Sequence, residues 1–302
     1  FASDTGGYRN APPDKETFTR WFQHTALTPV MQIGTNANDV AWEMGGENGF
    51  DEEMLGWYRT YTRLHLRLFP YLWSHAQRVR IDGRPIVRAL GLAYPELGVH
   101  PDDTYLLGDD LLVAPVVTHG ARERQVQLPP GTWMNFWTDQ THEGGSVITA
   151  DAPLDTLPLF ARAGAIIPLL RPTIDTVAPT TQPEQVDSLD TTTGVLHPIV
   201  FLGADGEFTL YDGSQLRQTH TMSSTTLSYE PGTDYVHGVA FEIRGLSQPP
   251  TELSENGESI PVSDGASDGP TPATVGEAFW NTQNQRLVIH LGPGKRTLTM
   301  LK

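Results

Sequence analysis

The stretch Asp4-Thr5-Gly6-Gly7 sets a carboxylate directly after a short strand-like start, beside a double glycine. Glycine lets backbone come close to a ligand, and a carboxylate there can accept two hydroxyls or act as acid, base or nucleophile. The same four residues equally suit a plain turn. A second cluster, Gln32, Asn36, Asn38, Asp39 and Trp42, follows the apolar run 28–33. Amides hydrogen-bond hydroxyls, and an indole face stacks on the apolar side of a sugar ring. A polar loop with one packed tryptophan has the same composition.

Other reactive residue types carry less. His24, His65 and His75 fall in helical patterns without a partner at metal-ligand spacing and read as structural or exposed. Asp109-Asp110 precedes an apolar run and reads as a turn. Asp205 with Glu207, and Asp264 with Asp268, offer calcium-type oxygens but lack the loop pattern that binds calcium. No phosphate-binding loop, nucleophile elbow, zinc-binding His-Glu-x-x-His or dinucleotide fingerprint occurs, so neither cofactor nor metal is expected.

The elements that would hold these residues change character along the chain. Asp14 can cap a helix over 12–27, whose Phe18, Trp21, Phe22 and Thr25 form one buried stripe. Residues 28–33 read as a strand and 34–50 as a loop. A long helix follows over about 51–80, with Leu55, Tyr58, Tyr61, Leu64 and Leu68 on its apolar face, a kink at Pro70 and a stop at Gly83. Residues 1–80 thus alternate strand and helix, as α/β layers do. Beyond about residue 100, short apolar runs separated by turns read as antiparallel β structure. The segment 171–198 resembles a linker or a surface-hugging loop, and 254–270 an exposed low-complexity loop.

Composition bounds the function. Across 302 residues there are 36 acidic and 20 basic side chains, a formal charge of −16, which repels phosphate backbones and argues against nucleic acid as a partner. No apolar run reaches the roughly 18 residues of a membrane-spanning helix. Zero cysteines exclude disulfides and thiolate chemistry and leave the compartment open, secreted, periplasmic or cytoplasmic. Oligomeric state is equally open.

Several stretches, in order, resemble family 31 glycoside hydrolases, the family of α-glucosidases and α-xylosidases: FASDTGGY (1–8), GRPIVRALGLAYPEL (83–97), YLLGDDLLVAPVV (105–117), GTWMNFWTDQTHEGG (131–145), PLFARAGAIIPL (158–169) and GEFTLYDG (206–213). The resemblance implies α/β plus all-β architecture. Residues 1–100 correspond to the last two βα units of a (β/α)8 TIM barrel, 101–172 to a proximal C-terminal β-sandwich and 173–302 to a distal β domain. It implies a retaining α-glycosidase acting by double displacement on an oligosaccharide or α-glycoside. The chain is expected to start inside the seventh barrel strand, with nucleophile and acid/base carboxylates both before Phe1, and to be inactive alone. Asp4 matches an active-site aspartate that shapes the sugar pocket, with Gln32 and Trp42 as further substrate contacts. Many members end the eighth strand Arg-x-His; Gln32 and Gly34 stand in those places here, so the sugar is left open between glucose, xylose and galactose. The rival expectation is a non-catalytic carbohydrate-binding or structural β module.

Overall fold

The computed structural model describes residues 3–8, 13–33, 41–98, 100–190, 194–265 and 274–301. The chain divides into two compact units. One comprises Phe1–His65, Gly83–Gly131 and Glu143–Phe160; the other comprises Leu66–Asp82, Thr132–His142 and Ala161–Lys302.

The first unit opens on β1 (Asp4–Thr5), α1 (Lys15–Ala26), β2 (Gln32–Ile33) and α2 (Glu52–Arg67), whose last two residues enter the second unit. β1 and β2 pair in parallel, Asp4 opposite Gln32 and Thr5 opposite Ile33. As anticipated, Asp14 caps α1, its carboxylate accepting the Thr17 amide at 2.7 Å. That hydrogen bond holds its carboxyl below the usual carboxylate range. The aromatic stripe of α1 meets α2 and the residues just before it: Phe22 lies edge-on to Tyr58 at 5.4 Å, and Phe18 packs on Phe50 at 4.8 Å.

The run 28–33 forms strand only at its end. Thr28 and Pro29 interrupt it, with the Thr28 hydroxyl donating to the carbonyls of Thr25 and Val30, and proline has no amide to offer a ladder. The long helix is two: α3 (Phe69–Asp82) restarts after Leu68. Pro70 then falls in the first turn of α3, where a missing N–H costs nothing, instead of kinking a continuous rod. Gly83, at φ +72°, ends α3 as expected.

After the helices the first unit is β structure. β3 (Val87–Ala89), β4 (Tyr105–Leu107) and β5 (Leu111–Val113) form an antiparallel meander, and β6 (Glu123–Gln127) pairs with Val147–Asp151. Asp109 and Asp110 sit in the turn between β4 and β5. One buried side chain ties these parts to α1. The Arg20 guanidinium, 8% exposed, donates to the carbonyls of Ala152 (2.6 Å), Thr156 (3.0 Å), Pro153 (3.2 Å) and Ala121 (3.2 Å), and to Gln23 Oε1.

The second unit holds α3 and two six-stranded sheets. In chain order the first sheet contains Ile166–Ile167, Ile199–Phe201, Val239–Arg244, Val262–Gly265, Ala278–Asn281 and Arg286–Leu291; the second contains Gly206–Thr209, Gln215–His220, Ser224–Glu230, Glu252–Glu255, Glu258–Ser259 and Arg296–Leu301. The buried Gln218 reaches from the second sheet to donate to the Phe201 carbonyl in the first. Tyr71 of α3 stacks on Phe208, and Ser74 Oγ accepts the Tyr211 amide at 2.9 Å. The expectation of a featureless loop over 254–270 is corrected within 254–265: a hairpin turns at Asn256 (φ +50°) and Gly257 (φ +89°). Asn-Gly is a strong hairpin signal because both residues tolerate left-handed backbone; residues 266–270 lie outside the described part. Within the segment 171–198, the Arg171 guanidinium donates to the Asp187 carboxylate and the Ser188 carbonyl, joining its start to its middle.

Arg20→Met should destabilise the chain by about 3 kcal/mol in urea unfolding, since carbonyls that shared a buried cation lose their donor. A loss below about 1 kcal/mol would show that water replaces the guanidinium freely. His197 gives a pH test. Burial first, then the positive charges of Arg67, His290 and Arg171, push its pKa down to about 3. The unfolded chain therefore binds a proton near pH 6.5 that the folded chain refuses, so stability falls as pH drops below about 6.5. His197→Gln should flatten the melting temperature between roughly pH 6.5 and 5.5; an unchanged slope would assign the dependence elsewhere.

Candidate functional site

Asp4 and Gln32 stand opposite each other on adjacent parallel strands, and Gln32 Nε2 donates to Asp4 Oδ1 at 2.5 Å. Three interactions fix β1 behind the carboxylate. Thr5 Oγ1 meets Thr25 Oγ1 at 3.0 Å in the interior, Trp21 Nε1 donates to Ser3 Oγ at 2.6 Å, and the Gly7 amide donates to the Asp4 carbonyl at 2.7 Å. That last bond closes a turn in which Gly6 and Gly7 take φ of +97° and +92°, a region that disfavours side chains. The end of α1 leading to β2 is fixed as firmly: Tyr105 Oη donates to the Leu27 carbonyl and the His65 Nδ1–H to the Ala26 carbonyl.

The pair presents one carboxylate oxygen bonded by an amide and a second oxygen for which no bond to a described residue is shown. The Gln32 side chain lies at an exposed position and Asp4 is half-buried. Such an arrangement binds hydroxyl groups, and it places negative charge where a developing positive charge would be stabilised. By itself it has no base–nucleophile pair.

Trp42 is 61% exposed, and no contact joins it to Asp4 or Gln32 among the described residues. Asn36, Asn38, Asp39 and Gly34 lie outside the described residues. His24 and His65 are partly buried and His75 buried; burial lowers the pKa of His24 and His65. Asp205 accepts the His220 amide and Glu207 pairs with Arg217, so their oxygens are engaged. Among the described residues no group of three or more His, Asp or Glu could hold a metal ion, and no helix is long and apolar enough to cross a membrane.

A cavity of about 420 Å³ lies on another side of α1, between Trp21, His24, Tyr105 and the stretch Pro115–His119. On its rim Arg122 grips Glu16 at 2.6 and 3.1 Å, which holds the Glu16 carboxyl below its usual range. The residues the sequence did not single out are the supports Arg20, Thr5 and Tyr105. An arginine on the inward side of an amphipathic helix was their one legible signal.

Strand-end polar groups on a βαβα segment, followed by sheets of antiparallel and mixed pairing, are the features of an α/β domain joined to β domains. Residues 1–75 match the family model for the glycosyl hydrolases family 31 TIM-barrel domain, and residues 83–167 match that for the glycosyl hydrolase family 31 C-terminal domain. The chain belongs to glycosyl hydrolase family 31 and is similar to its C-terminal portion. It is 30% identical over 250 residues to an α-xylosidase of Saccharolobus solfataricus, covering 80% of this chain and 30% of the relative. The structure of a family 31 α-xylosidase from Xanthomonas citri superposes with a TM-score of 0.60 at 29% identity, over 76% of this chain and 26% of that one. The fold also matches the cycloalternan-forming enzyme of Listeria monocytogenes with a TM-score of 0.79 over 99% of this chain and 29% of that chain, at 24% identity. The chain thus spans less than a third of the length of each of these relatives.

Proposed function

We propose that the chain forms part of a retaining α-glycosidase that removes α-linked sugars by double displacement. The observation that carries this is the Asp4–Gln32 pair, joined at 2.5 Å across parallel strands within the part that matches the family's barrel domain. Similar proteins include an α-xylosidase and an α-glucosidase.

In this reading β1 and β2 are two neighbouring staves of an eight-stranded barrel, and residues 1–100 complete that barrel. Residues 101–172 and 173–302 form two β-sandwich domains. Asp4 lines the floor of the sugar subsite and Gln32 orients it. Trp42 stands at the rim, where an exposed indole suits stacking on a sugar ring. The nucleophile and the acid/base are carboxylates outside this sequence. One forms a glycosyl-enzyme intermediate; the other protonates the leaving oxygen and then activates water.

Gln32 has a specific place in this scheme. A guanidinium beside Asp4 would cancel its charge; an amide bonds the carboxylate and leaves the charge in the pocket. Negative charge there favours the oxocarbenium-like transition state over the neutral substrate.

In the enzyme that contains this chain together with both catalytic carboxylates, Asp4→Ala should lower kcat/KM on an aryl α-glycoside at least about tenfold, or roughly 1.4 kcal/mol. Unchanged kinetics would remove Asp4 from the site. Gln32→Arg should shift the ratio of kcat/KM between aryl α-glucoside and aryl α-xyloside by at least about tenfold, because a site built around one hydrogen-bond pattern rejects another. An unaltered ratio would leave Gln32 a structural residue only.

A further inference from the structure

The outer face of the second sheet in the second unit carries a concave patch of about 270 Å³ remote in sequence from Asp4 and Gln32. Register sets its residues in two rows. Thr209, Gln215 and Glu230 lie opposite one another in one row, with Lys295 completing it beside Glu230; Glu207, Arg217 and Ser228 form the next. Strands lie about 4.8 Å apart and same-face residues about 6.8 Å apart, so the rows frame a shallow rectangle roughly 14 Å by 7 Å.

The charges cancel within it. Arg217 donates to Glu207 at 3.0 Å and Lys295 to Glu230 at 3.0 Å. No cation is left uncompensated to draw an anion, and no carboxylate is left to draw a cation. The floor beneath is closed by Leu216 and Tyr229, each 1% exposed, so no apolar surface is offered either. Between the ion pairs, the Thr209 and Ser228 hydroxyls and the Gln215 amide make no hydrogen bond to any described residue. Together they present donors and acceptors in balance, the complement of a neutral polyhydroxylated ring. The volume is close to the roughly 300 Å³ lower bound of small-molecule sites.

Beyond this patch the same face continues in hydroxyls. Thr219 stands opposite Thr226, Thr226 opposite Thr299, and Thr299 opposite Ser254. An extended ligand leaving the concavity would therefore meet a further row of hydroxyls before reaching Leu301 and Glu252 in the row after it.

We infer that this sheet face is an accessory binding site for a short, neutral α-glucan segment, seated between the Glu207–Arg217 and Glu230–Lys295 pairs and bonded by Gln215, Thr209 and Ser228. The inference rests on the proposed glycosidase reading only for the choice of an α-linked probe. The site would hold a chain near the enzyme without taking part in its cleavage.

Titrating the 302-residue chain with maltoheptaose by calorimetry and by amide chemical shifts tests it. Binding with Kd on the order of 1 mM is expected. The double variant Gln215→Ala with Ser228→Ala should bind at least about tenfold more weakly, a loss of about 1.4 kcal/mol, at an unchanged melting temperature, since both side chains are unbonded in the fold. Asp4→Ala should bind like the unaltered chain. Absence of binding up to about 20 mM, a site far weaker than the millimolar scale, overturns the inference. So does binding that the double variant keeps, or that Asp4→Ala alone abolishes. Shifts confined to residues 206–230 and 295, together with unaltered hydrolytic kinetics of Asp4→Ala in the enzyme that contains this chain and both catalytic carboxylates, would sustain the sheet site while removing the proposed role of Asp4.

Discussion

A single buried guanidinium governs the first unit. Among the described residues no carboxylate forms an ion pair with Arg20; its hydrogen-bond partners are four backbone carbonyls from the loops around Ala121 and Ala152–Thr156, plus Gln23. Desolvation lowers its pKa, yet an arginine stays charged at any ordinary pH. The cost of burying that charge is offset only while every carbonyl is in place. This makes the position of α1 an all-or-none matter. Because Thr25 and Trp21 of α1 bond Thr5 and Ser3 of the β1 segment, the guanidinium on one side of the helix fixes the carboxylate of Asp4 on the other.

The second unit solves a similar problem with opposite charges. Arg244, 5% exposed, lies over the rings of Phe136 and Phe201 at 4.9 and 5.4 Å, donates to the Phe136 carbonyl and pairs with Glu242 at 2.6 Å. Arg286 joins the network through Asp139 at 2.8 Å. Asp139 takes φ +60°, a conformation aspartate tolerates better than most side chains. The turn after Thr132–Asn135 is thereby pinned to the first sheet of its own unit by two cations sharing two carboxylates. Each charge is matched, so removal of any one member strands the others, whereas the carbonyl cradle of Arg20 strands only dipoles.

Much of this was legible in the sequence, for reasons that differ by element. The α1 cap and stripe depend on residues within twelve positions of one another, and local rules read them directly. Gly83 and the α2 stripe are of the same kind. Pro70 was legible as an interruption but not as a fresh start, because proline suits the first turn of a helix as well as a kink. The Asn256-Gly257 hairpin had a plain local signal, hidden by the acidic, serine-rich composition around it. Arg20 and Arg244 could not be read. Gln23 and Glu242 apart, their partners lie 101–136 and 43–108 residues away, and no periodicity links a cation to carbonyls or rings at that separation. Asp4 and Gln32 were each legible as polar residues after strands; that they touch follows from the parallel register, which the sequence does not carry.

The Asp4–Gln32 contact also bears on how an acidic chain can hold such a site. A net charge of −16 raises the cost of each further uncompensated carboxylate, and several carboxylates take an arginine: Glu16 with Arg122, Asp187 with Arg171, Asp139 with Arg286. At β1 the carboxylate takes an amide instead. An amide removes one oxygen's hunger for a donor but none of its charge. Self-repulsion would favour an arginine at that position if stability alone decided the residue. The choice of an amide at this strand end has a reason under the proposed function. A pocket that must attract developing positive charge in a sugar ring gains from a carboxylate that is oriented but not neutralised, and the amide of Gln32 supplies orientation without neutralisation.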